Sequence, residues 1–114
     1  MESMDLIKLI ATGASDKKAT RIVVQKIEGK SSLCDYHVIC SGSNERQTQA
    51  IASGIEDLLR EKKAGKPLAI EGKQTGHWVL MDYGSVMVHI FLDTIRDYYA
   101  LERLWPDVDT TYFD

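Results

Sequence analysis

The sequence predicts an α/β (α+β) domain: one mixed β-sheet flanked by helices, in the order αββαβββα. Three observations predict it. Runs rich in β-branched and aromatic residues occur at Ala19–Ile27, Tyr36–Cys40 and His77–Leu92. Apolar residues at helical spacing open the chain, recur after Asn44 and return from Ile95. The two patterns alternate irregularly, which excludes a regular βαβ array and favours a mixed sheet.

Leu6, Ile7, Leu9, Ile10 and Ala11 share one helical face, with Gly13 as the expected stop. The strands Ala19–Ile27 and Tyr36–Cys40 follow as neighbours, separated by a turn segment containing Gly29, Ser31 and Ser32. Asn44 with Gln47 three residues on has the spacing of a capping box, and Thr48, Ile51, Ala52, Ile55, Leu58 and Leu59 form the stripe behind it. Gly65 and Pro67 end that helix. Leu68–Ile70 is a short strand, and His77–Leu92 folds as a hairpin about Gly84 and Ser85. In the hairpin Trp78 and Leu80 point one way while Val79, Met81 and Tyr83 point the other. Both sides are apolar, so either helices cover both or one side awaits a partner. Ile95, Tyr98, Tyr99, Leu101, Leu104 and Trp105 make the last helix, closed by Pro106.

At 114 residues with 44% hydrophobic content, residues 1–114 are expected to form one domain with its core in 19–105 and an acidic tail at 106–114. No window approaches the roughly 20 apolar residues of a membrane helix, so the expected location is the cytoplasm, or an already processed organellar form. The net charge of -3 argues against a protein that holds nucleic acid mainly through phosphates. From Asp93 onward six acids face two bases, Arg96 and Arg103, and such an acidic end suits a basic protein partner. The basic turns after Leu59 (Arg60, Lys62, Lys63, Lys66) are explained by the helix dipole and solvation before an RNA patch is invoked. Cys34 and Cys40 lie too far apart along one strand to pair, which fits reduced thiols.

Three constellations resemble chemistry. Cys34, His37 and Cys40 have the composition of a metal site, but strand alternation turns His37 away from the two thiols. Gly42 and Ser43 before a helix are reminiscent of a nucleotidyltransferase anion loop, whose enzymes add a carboxylate pair on the next strand. Here that strand offers only Glu71, and the one Asp-x-Asp, Asp107 with Asp109, falls in the tail. Asp82 and His89 have registers that bring them near one another across the hairpin, but no polarising group accompanies them. Trp78 is equally suited to core packing and to anchoring an interface.

Three blocks in order carry a family resemblance. Asp35–Gln47 (DYHVICSGSNERQ) resembles DYFVIxSGxSxRQ, Trp78–Phe91 (WVLMDYGSVMVHIF) resembles WVLLDYGDVVVHIF, and Arg96–Trp105 (RDYYALERLW) resembles RxFYxLExLW. These are the signatures of the ribosome-silencing factors, the Iojap-like or DUF143 group. The resemblance implies a nucleotidyltransferase-like fold without catalytic residues. It implies binding to ribosomal protein fourteen of the large ribosomal subunit, obstruction of small-subunit joining, and repression of translation when nutrients are scarce. Ser85 departs from the acid of the family's GD turn, and Leu92, Asp93 and Thr94 from a more acidic link.

The expected protein is therefore not an enzyme and needs no cofactor or metal; a degenerate nucleotidyltransferase is the competing reading. Trp78, Leu80, Asp82, Tyr83, His89, Arg96 and Tyr99 are the expected partner-binding residues. Trp78→Ala is expected to weaken docking by about 2 kcal/mol or more without unfolding the domain. Direct sequence-specific nucleic-acid binding and membrane binding are not expected, and exposed hairpin edges permit a homodimer of the free protein.

Overall fold

The computed structural model describes residues 2–29, 34–104 and 108–113. Its elements are α1 (Ser3–Asp16), β1 (Thr20–Lys26), β2 (Tyr36–Gly42), α2 (Glu45–Glu61), β3 (Ala69–Glu71), β4 (Trp78–Asp82), β5 (Val86–Leu92), α3 (Asp93–Tyr99), a 3-10 turn at Leu101–Leu104 and β6 (Asp109–Tyr112). The predicted order is present, with one strand added at its end. Ser31, Ser32, Trp105, Pro106 and Asp107, which the sequence reading also assigned, lie outside the described residues.

The six strands form one sheet in the order β3-β4-β5-β2-β1-β6. Among the described residues only the central pair β2 and β5 is parallel, with Tyr36 opposite Val86 and Gly42 opposite Leu92; the other pairings are antiparallel. The crossover between β2 and β5 carries α2, as a parallel pair requires. The hairpin β4–β5 is flanked by β3 and β2, so its edges are paired after all. The free edges belong to β3 and β6.

Alternation divides the side chains. On one face α1 and α2 cover Ile22, Val24, Val38, Cys40, Val79, Met81, Val86, Val88 and Ile90, the main core. This core includes Ile7, Ile10 and Ala14 of α1, so it reaches well ahead of residue 19. Helix α1 also runs through Gly13 to Asp16 instead of stopping there. The glycine is a packing residue: a Cβ on Gly13 would sit 3.0 Å from Cα of Ile55, so its absence lets α1 and α2 meet backbone to backbone.

Helix α2 begins as its sequence dictates. The Asn44 side chain accepts from the Gln47 backbone N–H at 2.8 Å. Gln47 Oε1 in turn accepts from the backbone N–H and hydroxyl of Ser43, at 2.7 and 2.8 Å. Its Nε2 donates to the carbonyls of Lys17 and Lys18, tying the end of α1 to the start of α2.

The other face of the sheet is covered only in part. Val23, Ile39 and Phe91 form a second, small cluster beneath α3 and the 3-10 turn, joined by Trp78, Ile95 and Leu101. The last helix is shorter than its apolar spacing predicts, because Ala100 takes a left-handed conformation (φ 48°) and the chain turns back into Leu101–Leu104. The segment expected to be a tail supplies the edge strand β6, with Val23 opposite Tyr112 and Lys26 opposite Asp109.

Candidate docking face

The part of the second face left open by α3 lies over β4 and β5. Trp78 and Leu80 emerge here from β4, and Met87, His89 and Phe91 from β5, because positions two apart on a strand share a face. His37 of β2 joins them, opposite Met87 in the parallel register. Leu80 is half-buried and belongs to neither core cluster, whereas Phe91 is fully buried.

Aromatic rings organise this face. The Trp78 ring lies 4.9 Å from Phe91 and 4.8 Å from Tyr99 of α3, between centroids. Tyr98, 84% exposed, meets Tyr99 edge-on at 5.4 Å and extends the row into solvent. The Trp78 indole N–H donates to Nδ1 of His89 at 3.1 Å. The His89 proton then sits on Nε2, which is buried and has no hydrogen-bond partner among the described residues. His37 packs edge-on against His89 with centroids 4.6 Å apart. Burial pushes His37 down to about 4, and burial followed by the neighbouring His37 pushes His89 down to about 3, so both rings are neutral at physiological pH.

The seven residues singled out from the sequence fall into three groups. Trp78, Leu80, Asp82 and Tyr99 share the open face, with Tyr99 52% exposed. His89 and Arg96 lie beneath it, 6% and 2% exposed, and support it from within. Tyr83 is on the opposite side, packed against the main core, its hydroxyl pushed up to about 12 by burial and by nearby Glu56. Asp82 and His89 are not paired. Leu80 stands opposite His89, Asp82 stands opposite Met87, and the Asp82 carboxylate accepts from the backbone N–H of Gly84 in the turn at 2.8 Å.

Arg96 is the central polar contact below the face. Nη1 donates to the Arg21 carbonyl at 2.6 Å and to the Ser41 hydroxyl at 2.9 Å, and Nε and Nη2 donate to the Glu102 carboxylate at 2.9 and 3.1 Å. The Arg96 guanidinium holds Glu102 below the usual carboxylate range. A register shift between Thr20 and Val23 places Arg21 at φ 51° and aims its carbonyl inward. Its side chain points outward to Asp93 at 3.0 Å and Asp97 at 2.8 Å.

The constellations that resemble chemistry in the sequence do not assemble among the described residues. Glu71 lies on β3 and Asp109 on β6, the opposite edges of a six-stranded sheet. Five inter-strand spacings, roughly 24 Å in all, separate them, so they do not share a metal. The backbone N–H and hydroxyl of Ser43 are engaged by Gln47. A Cβ on Gly42 would approach Thr48 Cγ2 to 2.8 Å, so this glycine serves strand-to-helix packing. Cys40 belongs to the helix-side core while His37 faces the other way, and burial pushes the Cys34 thiol up, away from the thiolate. Among the described residues no helix is long and apolar enough to cross a membrane.

Sequence reasoning missed Met87, Phe91 and Tyr98 as members of the face, though strand parity from His89 and exposure at the end of an amphipathic helix carry that signal. It missed His37 because only the parallel β2–β5 register brings it there.

Known proteins resemble the chain over its whole length. The family described as "Ribosomal silencing factor during starvation" matches residues 1–114. The ribosomal silencing factor RsfS of Bacillus subtilis is 38% identical over 114 residues, 100% of this chain and 96% of the relative. The RsfS of Halalkalibacterium halodurans is 37% identical over 110 residues, 96% of this chain and 93% of the relative. A crystal structure of a Chromobacterium violaceum protein superposes with a TM-score of 0.89 at 31% identity, covering 100% of this chain and 94% of the other.

Proposed function

The chain belongs to the family of ribosomal silencing factors, and from that premise we propose that it silences by docking, without catalysis, on ribosomal protein fourteen of the large ribosomal subunit. The observation that carries this reading is the open sheet face. Among the described residues, a row of aromatic and aliphatic side chains is covered only in part, with Tyr98 and Tyr99 exposed and Trp78 and Leu80 half-buried. A partly exposed apolar row with an acid beside it, Asp82, matches a basic protein surface.

The mechanism is competition by bulk. The hairpin face and α3 adhere to the ribosomal protein, and the helical side of the domain fills space that the small subunit needs. An interface of roughly 1,600 Å² in total is the ordinary size for such a complex. Rigidity favours it, because the partner meets side chains already fixed by Phe91, His89 and Arg96. No substrate is transformed, and repression lasts as long as the protein stays bound.

Co-sedimentation with isolated large subunits, with and without small subunits, tests the proposal. The protein is expected to pellet with large subunits and to be excluded from joined ribosomes. Binding that survives on bare ribosomal RNA and falls steeply with salt would instead indicate a nucleic-acid binder. Tight metal-dependent nucleotide binding in calorimetry would indicate a degenerate nucleotidyltransferase.

A further inference from the structure

Arg96 is buried beneath the docking face, and its contacts join three elements under the aromatic row. One guanidinium, 2% exposed, joins the Arg21 carbonyl on β1, the Ser41 hydroxyl on β2 and the Glu102 carboxylate on the 3-10 turn. Tyr99 lies three residues further along α3, about one helical turn, with its ring 4.8 Å from Trp78. Between Arg96 and Glu102 the chain reverses at Ala100, whose left-handed φ of 48° is costly for a residue with a Cβ. A reversal built on an unfavourable conformation needs a hold from elsewhere. The two-pronged contact between guanidinium and carboxylate provides that hold.

Resting on the docking reading, we propose that Arg96, clasped by Glu102, is a positioning residue for docking: it sets Tyr99 over Trp78 and so fixes the shape of the aromatic rim, without meeting the partner. Lysine is a poor substitute, since a point charge on a flexible stem does not span the carboxylate, the hydroxyl and the carbonyl with fixed geometry.

A residue that merely stabilised the fold would lower the folded fraction and so weaken every contact on the face alike. Positioning weakens only what is made through Tyr99. Affinity for isolated large subunits is therefore measured for Arg96→Gln, Tyr99→Ala and Leu80→Ala, and for Arg96→Gln combined with each of the other two. Circular dichroism confirms the fold of each variant. Arg96→Gln alone is expected to weaken binding by about 5-fold or more, by less than about 2-fold once Tyr99 is gone, and by its full factor when Leu80 is gone. Equal losses in the two backgrounds overturn the proposal. Should Arg96→Gln fail to fold, Glu102→Gln replaces it in the same comparison, because it loosens the clasp from its more exposed end, where the side chain is 27% accessible. A wild-type protein that ignores large subunits would count against the docking reading itself, whereas normal binding with equal losses counts against the role of Arg96 alone.

Discussion

The indole N–H of Trp78 donates to Nδ1 of His89 at 3.1 Å, across the β4–β5 hairpin. This bond fixes the half-buried tryptophan edge and leaves its ring between Phe91 and Tyr99. Trp78 is therefore both a packing residue and part of the surface. Trp78→Ala removes contacts of the small cluster as well as an anchor, so a lower melting temperature is expected together with weaker docking. The sequence alone suggested a change in docking without a change in fold.

Leu80 separates the two effects. It is half-buried on the open face and outside both core clusters. Leu80→Ala is expected to weaken binding to large subunits by about 1 to 2 kcal/mol while shifting stability by under about 0.5 kcal/mol. Parallel thermal melts and sedimentation titrations check it; an equal loss in both would return Leu80 to the core.

Asp82 has two roles that one substitution divides. Asp82→Asn retains an oxygen for the Gly84 N–H but loses the charge. Stability is expected to stay within about 0.5 kcal/mol of wild type, while docking on a basic partner weakens and becomes less sensitive to salt. Asp82→Ala should in addition cost about 1 kcal/mol of stability through the lost turn bond.

Acid should destabilise the domain well above the range where carboxylates protonate. The two buried histidines titrate at about 4 and about 3 in the fold, against an ordinary value of 6.5. Below pH 6.5 the unfolded chain takes up protons that the folded one refuses. Stability is thus fully present above that pH and falls as pH drops, by up to about 1.4 kcal/mol per pH unit for each histidine. Glu102, depressed by Arg96, adds a loss of the same sign at lower pH. Melts near pH 7.5 and near pH 5 should show the drop, and His89→Gln should shrink it; a flat profile contradicts the assignment of neutral buried rings.

Gly13→Ala tests the helix contact. Alanine in a helix ordinarily gains about 1 kcal/mol over glycine. Here its Cβ would meet the backbone of Ile55 at 3.0 Å, so a net loss of stability is expected. Gly54→Ala, whose Cβ would meet the Lys17 side chain, is expected to be the milder change, because an exposed lysine can move.

Much of this molecule is legible in its sequence. Hydrophobic period and turn chemistry give αββαβββα, the Asn44–Gln47 cap and the hairpin about Gly84, because each depends on residues close in the chain. Features set by distant contacts are not legible. Gly13 reads as a helix stop because its reason, Ile55, is far along the chain. The last apolar series reads as one helix because the clasp between Arg96 and Glu102 that accompanies the turn at Ala100 has no periodic signature. Strand β6 reads as tail because its polar residues pair only at an edge. At the face, parity along β4 places Trp78, Leu80 and Asp82 together. Arg96 groups with them in the sequence because sequence cannot separate a guanidinium that faces a partner from one buried beneath the same surface.

Steric exclusion by the bound domain can be followed by light scattering during subunit joining. Purified large subunits are first mixed with excess protein, and small subunits are then added. Joining is expected to fall in proportion to occupancy, and Leu80→Ala is expected to restore it at the same concentration. Normal joining on large subunits saturated with the protein would contradict it.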